Sequence, residues 1–281
     1  MLTTVKAYSA WQSAPTLSLG EDGRAETDLI QIRNIDGLDP VTASIGTAPY
    51  GSTDGEAFTG SSVLSRNLVL TLHPNPDWSS WSPEALRRLL YSYFMPKLAC
   101  RLEFYSDDMP DLEITGVVES LTANMFTNDP EIQVSIICPD PYFQTIDPIF
   151  LSGNVGDDPV DIEYNGSIPG GIQVVVEQVS GTNPNELDIQ LGNPDLTFFK
   201  VSVNNIVTAT KYFHMSSIPM SKYVETVNES NGTITSLLSN VEISQGSDWP
   251  ILQPGTNQFS IDSDHGVQTW QLAYFERYGG L

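Results

Sequence analysis

Apolar and polar residues alternate along much of this chain, and a period of two marks strands with one buried face. In Leu98-Ala99-Cys100-Arg101-Leu102-Glu103-Phe104-Tyr105, the spacing puts Leu98, Cys100, Leu102 and Phe104 on one side. Glu131 to Cys138 repeats the pattern, with Ile132, Val134, Ile136 and Cys138 facing inward. Further alternating runs lie at 65–72, 112–118, 172–176, 187–191, 199–203 and 268–275. Turn-forming Gly, Pro, Asn and Asp separate them at short intervals, the spacing of sandwiches and barrels.

One segment changes period. Ser82-Pro83-Glu84 supplies an N-cap, a proline at the first helical position and an acid in the first turn. Leu86, Leu89, Leu90, Tyr93 and Phe94 then recur at helical spacing until Pro96. The pattern predicts a short amphipathic helix packed on a sheet, with Arg87 and Arg88 on or near its solvent side. A boundary is expected near residue 146, because Cys138-Pro139-Asp140-Pro141 cannot continue a central ladder. The segment from Ser152 to Gly171 is rich in turn formers, and no convincing helical period follows it. The fold class is therefore mainly β, in two domains, 1–145 and 146–281. The first is barrel- or sandwich-like with one packed α-helix.

Composition narrows the function. The chain has 281 residues, 40% of them hydrophobic, which suits a folded protein and excludes a wholly disordered one. It carries 12 Lys+Arg against 35 Asp+Glu, a net charge of −23 spread over both halves. Tight nucleic-acid binding rests on Lys and Arg, so this balance argues against it. No apolar stretch approaches the ~18 residues of a membrane span, so no membrane insertion is expected. The start lacks the apolar core of a secretory signal, and a soluble protein made in a cytoplasm is the expectation.

Candidate chemistry is sparse. Cys100 and Cys138 are the only cysteines and sit at inward strand positions, where they read as small buried hydrophobes. His73, His214 and His265 are scattered and form no metal-binding spacing. Asp107-Asp108, Asp157-Asp158 and Asp262-Ser263-Asp264 do not continue into a calcium-loop pattern and read as solvated turn acids. GxSxG, P-loop and GxGxxG motifs are absent, and no carboxylate pair stands out among so many acids. No catalytic, metal or cofactor-binding residue is assigned, and no cofactor is expected.

Several runs in order do resemble a known family. Ile35-Asp36-Gly37-Leu38-Asp39-Pro40, then Gly51 to Gly55, then Arg66-Asn67-Leu68-Val69-Leu70 are similar to the opening of phage distal tail proteins, the hub of a siphophage tail tip. The capped helix follows in the expected place, then Ile114-Thr-Gly116-Val-Val-Glu119 and Cys138-Pro-Asp-Pro141-Tyr142-Phe143. Trp249-Pro250-Ile-Leu252-Gln-Pro254-Gly255-Thr-Asn257 and the ending Glu276-Arg277-Tyr278-Gly279-Gly280-Leu281 resemble that family's second domain, a galectin-like β-sandwich. The spacing after Trp270 does not match the sugar-binding residues of true galectins, and the second half has no long inserted arm or extra carbohydrate-binding module.

The resemblance implies a non-enzymatic virion protein, assembled in the host cytoplasm and located at the tail tip. Six copies would form a ring that continues the tail tube. The first domain would build the ring and the second would be displayed outward. Expected partners are the tail tube protein, a tail-tip hub or tail-associated lysin, receptor-binding proteins, and DNA in transit through the lumen. Acidic side chains lining that lumen would repel passing DNA. Interface contributions are expected from Trp78 and Trp81 beside the helix and from Arg87 and Arg88 on it. The alternative is a carbohydrate-binding module or a glycan-cleaving protein of two β-domains.

Overall fold

The structure is a computed structural model that describes residues 2–9, 17–20, 30–51, 53–74, 82–124, 130–180, 186–192, 196–202, 210–228, 231–243 and 248–281. The chain divides into two compact units, Met1–Ile146 with Tyr278–Leu281, and Asp147–Arg277.

The first unit contains β1 (Leu2–Ser9), β2 (Leu17–Gly20), β3 (Ile30–Asp36), β4 (Ala43–Pro49), β5 (Glu56–Val63) and β6 (Arg66–Pro74). Helix α1 (Pro83–Tyr93) follows, then β7 (Ala99–Ser106), β8 (Leu112–Asn124), β9 (Glu131–Cys138) and β10 (Phe143–Thr145). Its main sheet runs β10-β8-β7-β1-β2-β3-β6-β9, with all but one neighbouring pair antiparallel. The long strand β8 folds this sheet over. Its first half pairs with β7 as far as Val117, and from Val117 onward it pairs with β9. A register shift between Val118 and Ser120 marks the bend, as a bulge in a shared strand does. The joint between β2 and β3 is a single parallel pair, Gly20 with Gln31, and the β8–β9 pairing curls the sheet back on itself around one core.

Burial follows the alternation. Leu68, Leu70 and Leu72 on β6, Cys100, Leu102 and Phe104 on β7, and Ile132, Val134, Ile136 and Cys138 on β9 are all buried in one core. Helix α1 adds Leu90, Tyr93 and Phe94 to that core, while Leu89 packs at its margin. The Ser82 side chain accepts the Ala85 N–H at 3.2 Å, closing the helix start as its cap chemistry implies.

Strands β4 and β5 stand apart. Among the described residues they pair only with each other, as a two-stranded antiparallel ribbon, and neither contributes a residue to either core.

The second unit is a β-sandwich of β11 (Ile149–Asn154), β12 (Val160–Tyr164), β13 (Gly170–Ser180), β14 (Glu186–Gly192), β15 (Leu196–Ser202) and β16 (Thr210–Ser216), continued by β17 (Tyr223–Asn228), β18 (Ile234–Ser236), β19 (Val241–Ile243), β20 (Ile251–Leu252), β21 (Gly255–Ser263) and β22 (Val267–Tyr274). One sheet runs β11-β22-β13-β16-β17-β18, with β20 also on β13, and the other runs β12-β21-β14-β15-β19. Val174, Val176, Phe213, Met215 and Leu272 of the first sheet share one core with Ile162, Leu187, Ile189, Phe259 and Ile261 of the second. Trp270 sits in that core with its ring centroid 5.1 Å from Phe259, edge to face.

Candidate functional site

Of the sequence-predicted interface residues, Arg87 and Arg88 lie on helix α1. Arg88 is exposed there. Arg87 is half-buried, because its Nε donates to the Tyr91 hydroxyl one turn later and its guanidinium lies 5.2 Å from that ring's centroid. Arg87 is therefore spent within its own helix, and Arg88 is the cation of the pair that the helix presents to solvent. Trp78 and Trp81 lie outside the described residues.

A third arginine, not singled out from the sequence, is the most strongly engaged cation. Arg66 opens β6 at an inward position and is only 2% exposed. Its Nε donates to the Pro141 carbonyl at 2.6 Å, and its Nη1 to the carbonyls of Gly37 and of Asp39, the latter at 2.8 Å. Nη2 donates to the Gly279 carbonyl. The guanidinium plane lies over the Phe143 ring, 4.6 Å from its centroid. One side chain thus ties together the loop after β3, the loop before β10 and the C-terminal residues. Arg suits this place because its five donors leave a planar fork in fixed directions, which one lysine ammonium cannot reproduce. Burial pulls its pKa down, opposed by its electrostatic interaction with Cys138 and Asp39.

Glycine makes the clasp fit. Gly37 has φ +92°, and a Cβ there would stand 2.2 Å from the Asn67 carbonyl oxygen. The C-terminal residues close over the same loop, where the Leu281 N–H donates to the Leu38 carbonyl at 3.1 Å.

A second polar network covers the outer side of β10, β8, β7 and β1. Glu103, 3% exposed, accepts the hydroxyls of Tyr8 at 2.8 Å and Tyr105 at 2.6 Å. Its other oxygen meets Arg101 at 2.8 Å, and Arg101 also lies 4.3 Å from the Tyr8 ring centroid. Glu113 continues the row by accepting from Gln144 at 2.8 Å. Each strand thus contributes an outward side chain that satisfies its cross-strand neighbour, which stiffens this face. The Tyr105 hydroxyl is held well above its ordinary pKa, first by burial and then by its hydrogen bond to Glu103.

The two cysteines are buried and unpaired by disulfide. Burial lifts both thiols from 9.0 to about 12, with the Arg66 charge working the other way at Cys138. Neither should react at pH 8 in the folded protein, and both should react after denaturation, as a thiol titration would read. Because the folded state keeps these protons to higher pH than the unfolded chain, their contribution is intact below pH 9 and is lost as pH rises toward 12. Alkaline unfolding within that window is the expected outcome. Replacing both cysteines with alanine should move its onset upward.

In the second unit, a groove of about 480 Å³ lies on the outward side of the β11-β22-β13-β16 sheet. Ser152, Asn154, Glu177, Tyr212, Thr269 and Gln271 line it with hydroxyl, amide and carboxylate groups. The turn acids serve local structure. Asp157 accepts from the Asn154 N–H and side-chain amide at 3.1 and 2.9 Å, and Asp264 accepts the Glu186 N–H at 3.2 Å. Among the described residues, no group of three or more His, Cys, Asp or Glu could hold a metal ion, and no helix is long and apolar enough to cross a membrane.

Fold and side-chain placement define a mainly β, two-unit chain in which buried polar groups are used to fasten loops and strands together. This is the fold of a phage distal tail protein. The chain is similar to SPP1 Dit (gp 19.1), described as a paradigm of the hub adsorption apparatus in phages infecting Gram-positive bacteria. The two share 18% identity with a TM-score of 0.64, over 97% of this chain and 98% of that one. It also resembles a chain of the phage P2 baseplate in its activated conformation with Ca, at 7% identity and a TM-score of 0.51, over 97% of this chain and 98% of that one. No family model matches the sequence, and no curated protein matches it.

Proposed function

We propose that this protein is a non-enzymatic structural component of a phage tail tip. Six copies form a ring that joins the tail tube to the adsorption apparatus and lets DNA through its lumen. The observation that carries this reading is the likeness to SPP1 Dit along almost the entire length of both chains, where the likeness of one β-sandwich alone would carry no function. In this reading residues 1–145 build the ring and 146–281 are displayed outward. The tail tube protein stacks on one face, and a tail-tip hub or tail-associated lysin on the other. Receptor-binding proteins dock at the periphery. Assembly takes place in the host cytoplasm, and the ring then resides in the virion.

The side chains support a packing role. Arg66 and Glu103, the buried charged groups of the first unit, are engaged by protein partners in ways that brace the fold. Arg88, with Trp78 and Trp81, contributes to contacts beside the helix. Acidic side chains of the first unit line the lumen, so that DNA meets repulsion and does not adhere.

Mass photometry and negative-stain microscopy of the purified 30.8 kDa chain test the reading. A particle of six copies with a central hole is expected, and antibody labelling of intact virions should mark the tip below the tube. Single chains that bind or hydrolyse glycans, with no labelling of the tail, would overturn it.

A further inference from the structure

The β4–β5 ribbon has no structural reason to persist alone. Isolated two-stranded hairpins are marginal in water, and stability normally comes from a third strand or an apolar face packed on something. Among the described residues this ribbon has neither.

Its two faces differ. Cross-strand pairing sets Ala43 opposite Val63, Ile45 opposite Ser61 and Thr47 opposite Phe58, so these side chains share one face. Ile45 is 65% exposed and Phe58 67%, an uncommon degree for an isoleucine and a phenylalanine on a regular strand. The opposite face pairs Ser44 with Ser62, Gly46 with Gly60 and Ala48 with Ala57. The paired residues on it are small, and the bulged Thr59 side chain also stands on this face, 2.8 Å from where a Cβ on Gly46 would lie. A Cβ added at Gly60 would meet nothing within 4 Å. One side thus offers apolar anchors, and the other is polar and low, open at Gly60 and covered by Thr59 at Gly46. Both outer edges of the ribbon also keep unpaired strand hydrogen-bonding groups.

Charge selects the occupant. The chain carries −23, so any two copies repel over most of their surfaces. The ribbon's shaft is an exception. Residues 40–53 and 57–65 contain no charged side chain, and Asp54 and Glu56 sit at the turn. A cationic partner would gain nothing by choosing this element over the acidic surface around it. A second copy of this chain gains most by choosing it, since here it meets no like charge.

We infer that the β4–β5 ribbon is the arm by which one copy grips the next. Ile45 and Phe58 bury against a different surface of the neighbour, so each copy gives one arm and receives another. That is the head-to-tail contact from which closed rings are built. The inference rests on the ring reading above and assigns its principal contact to a specific element.

The test uses Ile45→Asp/Phe58→Asp in the full chain. Neither side chain belongs to a core, so the melting curve should match that of the parent, while mass photometry should show rings replaced by single chains. The apparent dissociation constant should rise by at least about 100-fold, as when apolar interface anchors become buried charges. As a second measurement, a benzoylphenylalanine photocrosslinker at position 58 should join separate copies. Parent and charged variant both forming six-copy rings, or crosslinks confined to single chains, would overturn the arm and leave the ring intact. A parent that stays a single chain at every concentration would overturn both.

Discussion

Arg66→Ala should lower the stability of the first unit by about 4 kcal/mol, read as an earlier urea midpoint at unchanged slope. The substitution removes donors from the carbonyls of Gly37, Asp39, Pro141 and Gly279 at once. Each buried acceptor left without a partner costs about 1–3 kcal/mol, and water entering the vacated space recovers part of that. The Phe143 ring also loses the plane stacked upon it. Arg66→Lys keeps the charge but not the fork, and should recover less than half of the loss. Arg66→Met separates packing from hydrogen bonding, because it restores bulk over Phe143 and no donors. A methionine variant as stable as the parent would show that the carbonyls do not need the guanidinium. In the ring reading, Arg66→Ala should also reduce the fraction of assembled rings, since the loops it fastens belong to the ring-building unit.

The second large effect belongs to the sandwich. Trp270→Ala should destabilise the second unit by about 3–5 kcal/mol, the usual range for deleting a core tryptophan. Trp270 is 4% exposed and packs edge to face on Phe259. Gly153 on the neighbouring strand leaves room for the ring, since a Cβ there would stand 2.8 Å from it. The indole Nε1 donates to the Asn154 carbonyl at 3.1 Å, so Trp270→Phe should lose about 1 kcal/mol for that bond plus a smaller packing deficit. Thermal unfolding by tryptophan-independent circular dichroism reads both. Rings should still form from Trp270→Ala at temperatures where the second unit has loosened. Their loss in parallel with it would place assembly contacts in the sandwich.

The elements that alternation made legible are those with one face in a core. β9 follows the predicted spacing residue by residue, β7 does so except at the buried Glu103, and α1 begins at the proline after its cap that the sequence marks. The ribbon was not legible, for a physical reason. Ala43-Ser-Ile-Gly-Thr-Ala-Pro49 has neither a polar face nor an apolar one of the usual kind, because neither face meets this chain's own core. Arg66 was half legible. It occupies the same parity as Leu68, Leu70 and Leu72, so a cation at an inward strand position could have been flagged from spacing alone. Its partners could not, since they are backbone carbonyls, which every residue possesses and no pattern of side chains announces. Arg87 and Arg88 read as equivalent in the sequence. The structure separates them through Tyr91, an i+4 neighbour that the helical period already placed within reach of Arg87.

The Arg66 clasp also sets an order of events during synthesis. Gly279, whose carbonyl it holds, lies 213 residues further along the chain. While the ribosome is still translating the sandwich, the earlier unit has its strands but lacks one of the acceptors that lock them. Domains commonly finish folding in the order they emerge, yet here the amino-terminal one is sealed last. A nascent chain stalled short of Gly279 should therefore present a protease-sensitive, assembly-incompetent intermediate, and ring formation would wait until Gly279 has emerged and reached Arg66.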